Sequence, residues 1–164
     1  MKFNLGAVIL MAMLSNFINA QEKYSIPGLL EKFNDNTVPY ITVDSLHQNL
    51  SDFVVLDTRK KAEFEVSHLP NAIWAGEKFD RDQLPELDKS KPVVVYCSVG
   101  VRSENYGEDL LEDGFQRVYN LYGSIFSWKD AGYEVVDKKG NPTEEVHTYS
   151  RRWSKYLKTG KKVY

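Results

Sequence analysis

The run Pro92-Val93-Val94-Val95-Tyr96 limits the possible folds more than any other segment of this chain. Adjacent β-branched residues favour extended backbone, and a proline can open a strand. An apolar stretch without alternation needs cover on both faces. Such a strand belongs inside a sheet sandwiched between helices, where neither face meets water. Phe53-Val54-Val55-Leu56, bounded by Asp52 and Asp57, reads the same way.

The segments around these two runs alternate between strand and helix signals. Tyr40-Ile41-Thr42-Val43 predicts a short strand or strand edge, followed by a short helix through Leu50 capped by Asp44. Lys60 to Val66 predicts one or two helical turns, Ile73-Trp74-Ala75 a further strand, and Asp80 to Leu87 a short helix interrupted at Pro85. Ser103 to Asp113 predicts a helix with Tyr106, Leu110 and Leu111 on one face and Gly114 as its stop. Val118-Tyr119-Asn120-Leu121 predicts a strand, and Ser124 to Ala131 a short helix. Strands separated by helices define an α/β fold, with a mostly parallel central sheet of about five strands and helices on both faces.

With 164 residues, 42% of them hydrophobic, the chain can bury one ordinary core. Lys2 followed by the apolar run Leu5 to Leu14 has the charge order of a signal peptide, and the run is shorter than the roughly 20 residues that span a bilayer. The expected organisation is a signal peptide over residues 1–20, a leader over 21–36, an α/β domain over 37–142 and a basic extension over 143–164. Cleavage is expected after Ala20, with export to the periplasm or beyond and no stable membrane insertion afterwards; an uncleaved N-terminal anchor is the alternative. A net charge of −2 and a pI near 5.9 give no general attraction to nucleic acid or to an anionic membrane.

Cys97 is the single cysteine, so an internal disulfide is impossible even in an oxidising compartment. It is either a buried, inert residue or a chemically employed one. Its position favours chemistry, because ligands of parallel sheets collect at the carboxyl ends of the strands and Cys97 ends the best strand signal. The loop that follows leads into a helix N-terminus, where free backbone N–H groups favour an anion. Gly100 lets that loop turn sharply, and Arg102 adds a permanent positive charge. Such a loop can cradle a thiolate, and equally the terminal sulfur of a persulfide. The spacing of His47, His68 and His147 matches no metal-ligand pattern.

Cys97-Ser98-Val99-Gly100-Val101-Arg102-Ser103 resembles the active-site loop of the single-domain rhodaneses. Leu56-Asp57-Thr58-Arg59 with Glu63-Phe64 resembles the family's acidic and basic pair. Phe64 to Ala72 resembles its histidine-proline-alanine signature, and Leu121-Tyr122-Gly123-Ser124-Ile125 with Trp128 and Gly132-Tyr133 its closing turn and tryptophan helix. The likeness runs in family order from about Tyr40 to Pro142. It implies a sulfurtransferase that carries sulfane sulfur on Cys97, with Ser98, Val99, Gly100, Val101, Arg102 and Ser103 binding substrate. By the same resemblance Asp57, Arg59 and Glu63 support the loop as an ion-pair network, and His68 is structural. The implied partners are a small sulfur donor such as thiosulfate and a thiol or cyanide acceptor, with neither cofactor nor metal.

Ser67, Asn71 and Ser124 stand where the family usually has glycine, and they read as turn variations away from the sulfur loop. Ser98, Val99 and Val101 are uncharged where thiosulfate enzymes often place a cation, which speaks against thiosulfate as the physiological donor. Two other functions compete. Phosphatases and arsenate reductases of related fold place one more residue between cysteine and arginine than the four found here. Non-catalytic binding modules of the family commonly lack the cysteine that this chain keeps.

From Thr148 onward the tail carries Arg151, Arg152, Lys155, Lys158, Lys161 and Lys162 with no acidic residue. Tyr149, Trp153, Tyr156 and Leu157 recur at helical spacing, which predicts a docked amphipathic helix with a solvated cationic face. The alternative is a basic lip that attracts an anionic donor or an acidic partner.

Overall fold

The valine run forms the middle of a five-stranded, all-parallel sheet in the computed structural model, which describes residues 25–84 and 86–164. The proposed signal peptide lies outside the described residues. In chain order the sheet strands are β1 (Tyr40–Ile41), β2 (Val54–Asp57), β3 (Ile73–Trp74), β4 (Val93–Tyr96) and β5 (Val118–Leu121). Their spatial order is β1-β5-β4-β2-β3, so β4 pairs with β2 through Val55↔Val94 and with β5 through Val94↔Tyr119. Every residue of β4 is buried. Side chains alternate across a strand, so Val94 and Tyr96 enter one core with Val55, Leu121, Phe126 and Trp128. Val93 and Val95 enter the other, with Leu56, Tyr106, Leu110 and Val118.

Helices supply the cover that β4 demands. α1 (Ile26–Phe33) starts at Ser25, whose hydroxyl accepts the Gly28 N–H, and its Leu29 joins the Trp128 core. α2 (Val43–Gln48) adds Leu46 to that core. It is capped by Thr42, which accepts the Ser45 N–H, and not by the expected Asp44. The chain turns into the helix two positions earlier than the residue pattern suggests. α3 (Lys61–Val66) follows β2, α4 (Arg102–Glu112) follows β4, and α5 (Ser124–Asp130) follows β5. α4 buries Tyr106 and Leu110 against the valine face, and Gly114 ends its turn with φ +93°. Leu111, expected on the same face, is exposed, because it points out beside the buried Leu110. The short helix expected from Asp80 to Leu87 is reduced to one 3-10 turn, Arg81–Gln83, capped by the Asp80 carboxylate.

The tail departs furthest from expectation. It is docked, but as strands: β8 (Glu145–His147) pairs in parallel with β9 (Lys161–Val163), after a small antiparallel pair of β6 (Val135–Val136) and β7 (Pro142–Thr143). A helix across residues 149–160 is stopped at both ends. Tyr149 takes a left-handed backbone with φ +64°, and Gly160 lies at φ +78°, where a Cβ would sit 2.9 Å from the Glu144 carbonyl oxygen. The helical spacing survives only as the turn Ser154–Tyr156. Val146 and Leu157 are buried in the Trp128 core, and the Asp130 carboxylate accepts the Lys158 and Thr159 N–H groups.

At the carboxyl end of β2, Asp57 and Arg59 form a wholly buried ion pair at 2.7 Å. Arg59 also donates to the Ser67 carbonyl at 2.6 Å, and its own carbonyl accepts the Trp74 indole N–H. Burial favours loss of the Arg59 proton, but Asp57 overcomes this and holds the guanidinium charged. Removing one partner strands a charge in the core, so Asp57→Ala should cost about 3–5 kcal/mol in urea unfolding. The double variant Asp57→Leu, Arg59→Met should recover part of that loss; a loss equal to the sum of the two single changes would show that the pair does not act as a unit.

Candidate active site

β4 delivers Cys97 to the carboxyl edge of the sheet, and α5 holds the loop that follows. The Cys97 N–H donates to the Ser124 hydroxyl at 3.0 Å, while the Cys97 and Ser98 carbonyls accept the N–H groups of Ile125 and Phe126. Ser124 therefore contacts the sulfur loop directly, contrary to its reading as a distant turn variation. Its left-handed backbone, φ +51°, aims the hydroxyl there next to Gly123. No larger residue fits at Gly123, where a Cβ would lie 1.9 Å from the Ser127 hydroxyl oxygen.

Gly100, at φ +107°, turns its N–H onto the Cys97 sulfur at 3.2 Å. Its carbonyl is gripped from behind by the side-chain amides of Asn34 at 2.9 Å and Asn120 at 2.8 Å. Glu104, buried in the first turn of α4, accepts from Asn120 and from the Thr37 N–H, tying this clamp to the segment before β1. The Ser103 hydroxyl lies 3.6 Å from the sulfur and 2.8 Å from the Asn120 amide oxygen, so its one proton can serve either.

Cys97 is only 1% exposed, a figure that alone would suit an inert core cysteine. Its surroundings differ from a core. The residue lines a cavity of about 310 Å³ together with Ser98, Val99, Val101, Arg102, Tyr149 and Trp153. Burial raises the thiol's pKa, but the Arg102 charge, the Gly100 and Ser103 N–H groups and the Ser103 hydroxyl outweigh it, and the thiol titrates below its ordinary value. The arrangement therefore favours the thiolate form of a sulfur that faces a cavity and carries hydrogen-bond donors. A nucleophile of this kind can attack a soft electrophile such as divalent sulfur.

Arg102 is itself restrained. Its guanidinium meets Glu63 at 3.1 Å, Glu77 at 3.0 Å and the Ser98 hydroxyl at 3.1 Å. Glu63 is 1% exposed; burial pushes its carboxyl up, and Arg102 with Arg59 and the Lys60 N–H brings it below the usual range. The expected network of Asp57, Arg59 and Glu63 thus resolves into two pairs, Asp57 with Arg59 and Glu63 with Arg102. Glu63 alone touches the sulfur loop, through Ser98 and Arg102.

His68 donates from Nδ1 to the Phe64 carbonyl and stacks on the Phe64 ring, and it is not among the residues that line the cavity. His147, isolated in sequence, is brought beside α3. Burial lowers its pKa, and its Nδ1 accepts the Tyr149 N–H. Sequence reasoning missed Asn34, Asn120, Glu104 and Ser124 as supports of the loop, and Tyr149 and Trp153 as cavity walls. Asn120 carried a usable signal: a lone amide inside the strand Val118–Leu121 is costly unless it has buried partners. Nothing local marked Tyr149 and Trp153, because the pairing of β8 with β9 brings them over the cavity.

Residues 42–131 match the family model described as the rhodanese-like domain. The thiosulfate sulfurtransferase GlpE of Coxiella burnetii is 36% identical over 78 residues, which is 48% of this chain and 73% of that protein. The tRNA uridine(34) hydroxylase of Yersinia pestis is 34% identical over 97 residues, or 54% of this chain and 27% of that one. Among solved structures, a rhodanese-like domain protein from Staphylococcus aureus aligns with a TM-score of 0.54 at 27% identity, covering 62% of this chain and 99% of that one.

The lowered thiol pKa has a direct readout. The ultraviolet absorbance of the thiolate should titrate below the range of an unperturbed cysteine thiol, and Arg102→Leu should move the midpoint upward. An unchanged midpoint in that variant would show that Arg102 does not set the charge on the sulfur.

Proposed function

The chain belongs to the rhodanese-like domain family, and we propose that within it the protein is a sulfurtransferase that carries sulfane sulfur as a persulfide on Cys97. The observation that carries this reading is the Gly100 N–H placed 3.2 Å from a cysteine sulfur that faces a cavity under the Arg102 charge. The Coxiella burnetii relative, a thiosulfate sulfurtransferase, supports it.

Transfer proceeds as a double displacement. The Cys97 thiolate attacks the outer sulfur of the donor, a bond forms between the two sulfurs, and the donor's bond to that sulfur breaks, its electron pair leaving with the donor remnant. The Gly100 and Ser103 donors on the Cys97 sulfur, and the positive charge beside it, stabilise the anionic persulfide. A thiolate or cyanide then attacks the outer sulfur, and the Cys97 thiolate is regenerated as leaving group. Its lowered pKa serves this second step as much as the first, since a less basic thiolate leaves faster. Four residues separate Cys97 from Arg102, and the loop so formed closes its donors on a single sulfur atom, which favours sulfur over a phosphoryl group as the transferred group.

Incubation with a sulfane donor should add the mass of one sulfur to the Cys97 peptide, and a thiol or cyanide should remove it. Cys97→Ser should reduce turnover to background while leaving the circular dichroism spectrum intact. Turnover retained in that variant would refute the proposal.

A further inference from the structure

The donor's own chemistry can be read from the walls of the cavity. Beyond the sulfur loop, they are Tyr149 and Trp153, both from the C-terminal extension and both outside the stretch 42–131 that defines the family. These aromatics are placed by structure: Thr148 just before them donates its N–H to the Val163 carbonyl, the Tyr149 N–H is bonded to His147, and the Trp153 N–H to the Ser150 carbonyl. Leu157, a turn beyond Trp153, is anchored in the core. The Tyr149 ring meets two cations, with its centroid 5.1 Å from the Arg102 guanidinium and 5.2 Å from the Lys60 ammonium.

Charge in the cavity points the same way. Arg102 is the one cation among its lining residues, and Glu63 and Glu77 both already pair with it. A doubly charged inorganic donor would compete with two carboxylates for that guanidinium and would shed its hydration against Val99, Val101, Tyr149 and Trp153. A volume of about 310 Å³ reaches the lower range for pockets that hold organic ligands. It is generous for an ion of thiosulfate's size.

Building on the sulfurtransferase reading, we propose that the C-terminal extension makes this site selective for organic sulfane donors of low charge, whose aryl or alkyl group lies against Tyr149 and Trp153. With an organic hydropersulfide, the Cys97 thiolate takes the outer SH sulfur, the sulfur–sulfur bond of the donor breaks, and the organic thiolate leaves with the electron pair. With an organic thiosulfonate the same attack releases the sulfinate. Neither step needs an external oxidant or reductant.

The test uses the full chain with cyanide as acceptor and compares benzenethiosulfonate with thiosulfate as donors. The wild-type kcat/KM should favour the aryl donor by at least about tenfold. The double variant Tyr149→Ala, Trp153→Ala should lose about tenfold of that ratio, mainly through a higher KM for the aryl donor. Tyr149→Phe, Trp153→Phe should retain the ratio. Because Trp153 is partly buried, Tyr149→Ala alone serves as a second variant at an exposed position, with a smaller drop in the same direction. A wild-type preference for thiosulfate, or an equal loss for both donors in the alanine variants, would overturn the selectivity. Single-turnover mass measurement separates the two levels: sulfur loaded equally well from either donor defeats the selectivity alone, whereas no loading of Cys97 from any donor defeats the sulfurtransferase reading with it.

Discussion

A thiolate with almost no exposed surface has lost most of the water that would stabilise it, and a charge so placed persists only if fixed dipoles and an opposite charge replace that water. At Cys97 the replacements are the Gly100 and Ser103 N–H groups, the Ser103 hydroxyl and the Arg102 guanidinium. Each replacement is in turn held by something else. The Gly100 carbonyl is clamped by Asn34 and Asn120, Asn120 is gripped by Glu104, and Arg102 is pinned by Glu63. The Cys97 backbone is fastened to Ser124. Preorganisation of this kind means the donors need not rearrange when negative charge grows on sulfur, which is where such sites gain most of their effect.

The sheet makes these supports meet. In a parallel sheet all carboxyl ends lie along one edge, so β2, β4 and β5 bring Asp57, Cys97 and the Gly123 turn together although they are distant in sequence. The Asp57–Arg59 pair closes the β2 end without touching the sulfur, and it fixes the path from β2 to α3, the helix that carries Glu63. α5, entered through Gly123 and Ser124, contributes backbone N–H groups to the loop carbonyls and its hydroxyl to the Cys97 amide. One loop is thus supported from three strand ends, which is why its geometry needs neither a disulfide nor a long connecting segment.

Much of this was legible in the chain, for physical reasons that also mark where legibility stops. The valine run was the strongest strand signal, and the helix–strand alternation around it pointed to a mostly parallel sheet covered on both faces. The sulfur loop could be read because its requirements are local: a glycine where the backbone must turn, and an arginine at helix-entry spacing. Helix starts were less secure, since Thr42 and Asp44 are both good caps two positions apart and tertiary packing chose between them. The clamp of Asn34, Asn120 and Glu104 is a set of contacts between distant segments, with sequence separations of 16 to 70 residues, and no local pattern reports such pairs. The tail failed for a related reason. Its aromatic spacing is helical, yet the pairing of β8 with β9 and the left-handed backbone at Tyr149 outweigh that preference.

That failure changes how the tail's charge should be understood. In a helix its lysines and arginines would form one cationic face; as strands and a turn they are dispersed. Lys161 pairs with Glu145 across the β8–β9 ladder, Arg151 lies over the Tyr164 ring, and Lys155 over Tyr156. None of these cations lines the cavity, whose walls from the tail are aromatic. A segment that reads in sequence as a basic attractor of anions therefore meets the sulfur site with its aromatic side, and the one arginine there is paired with two glutamates. The tail's contribution beside the nucleophile is then the shape of the cavity and its aromatic wall. Wherever an organic group displaces water from such a cavity, the donors on the Cys97 sulfur act in a lower dielectric and strengthen, so the aromatic walls proposed to sort donors would also tighten the hold on a transferred sulfur.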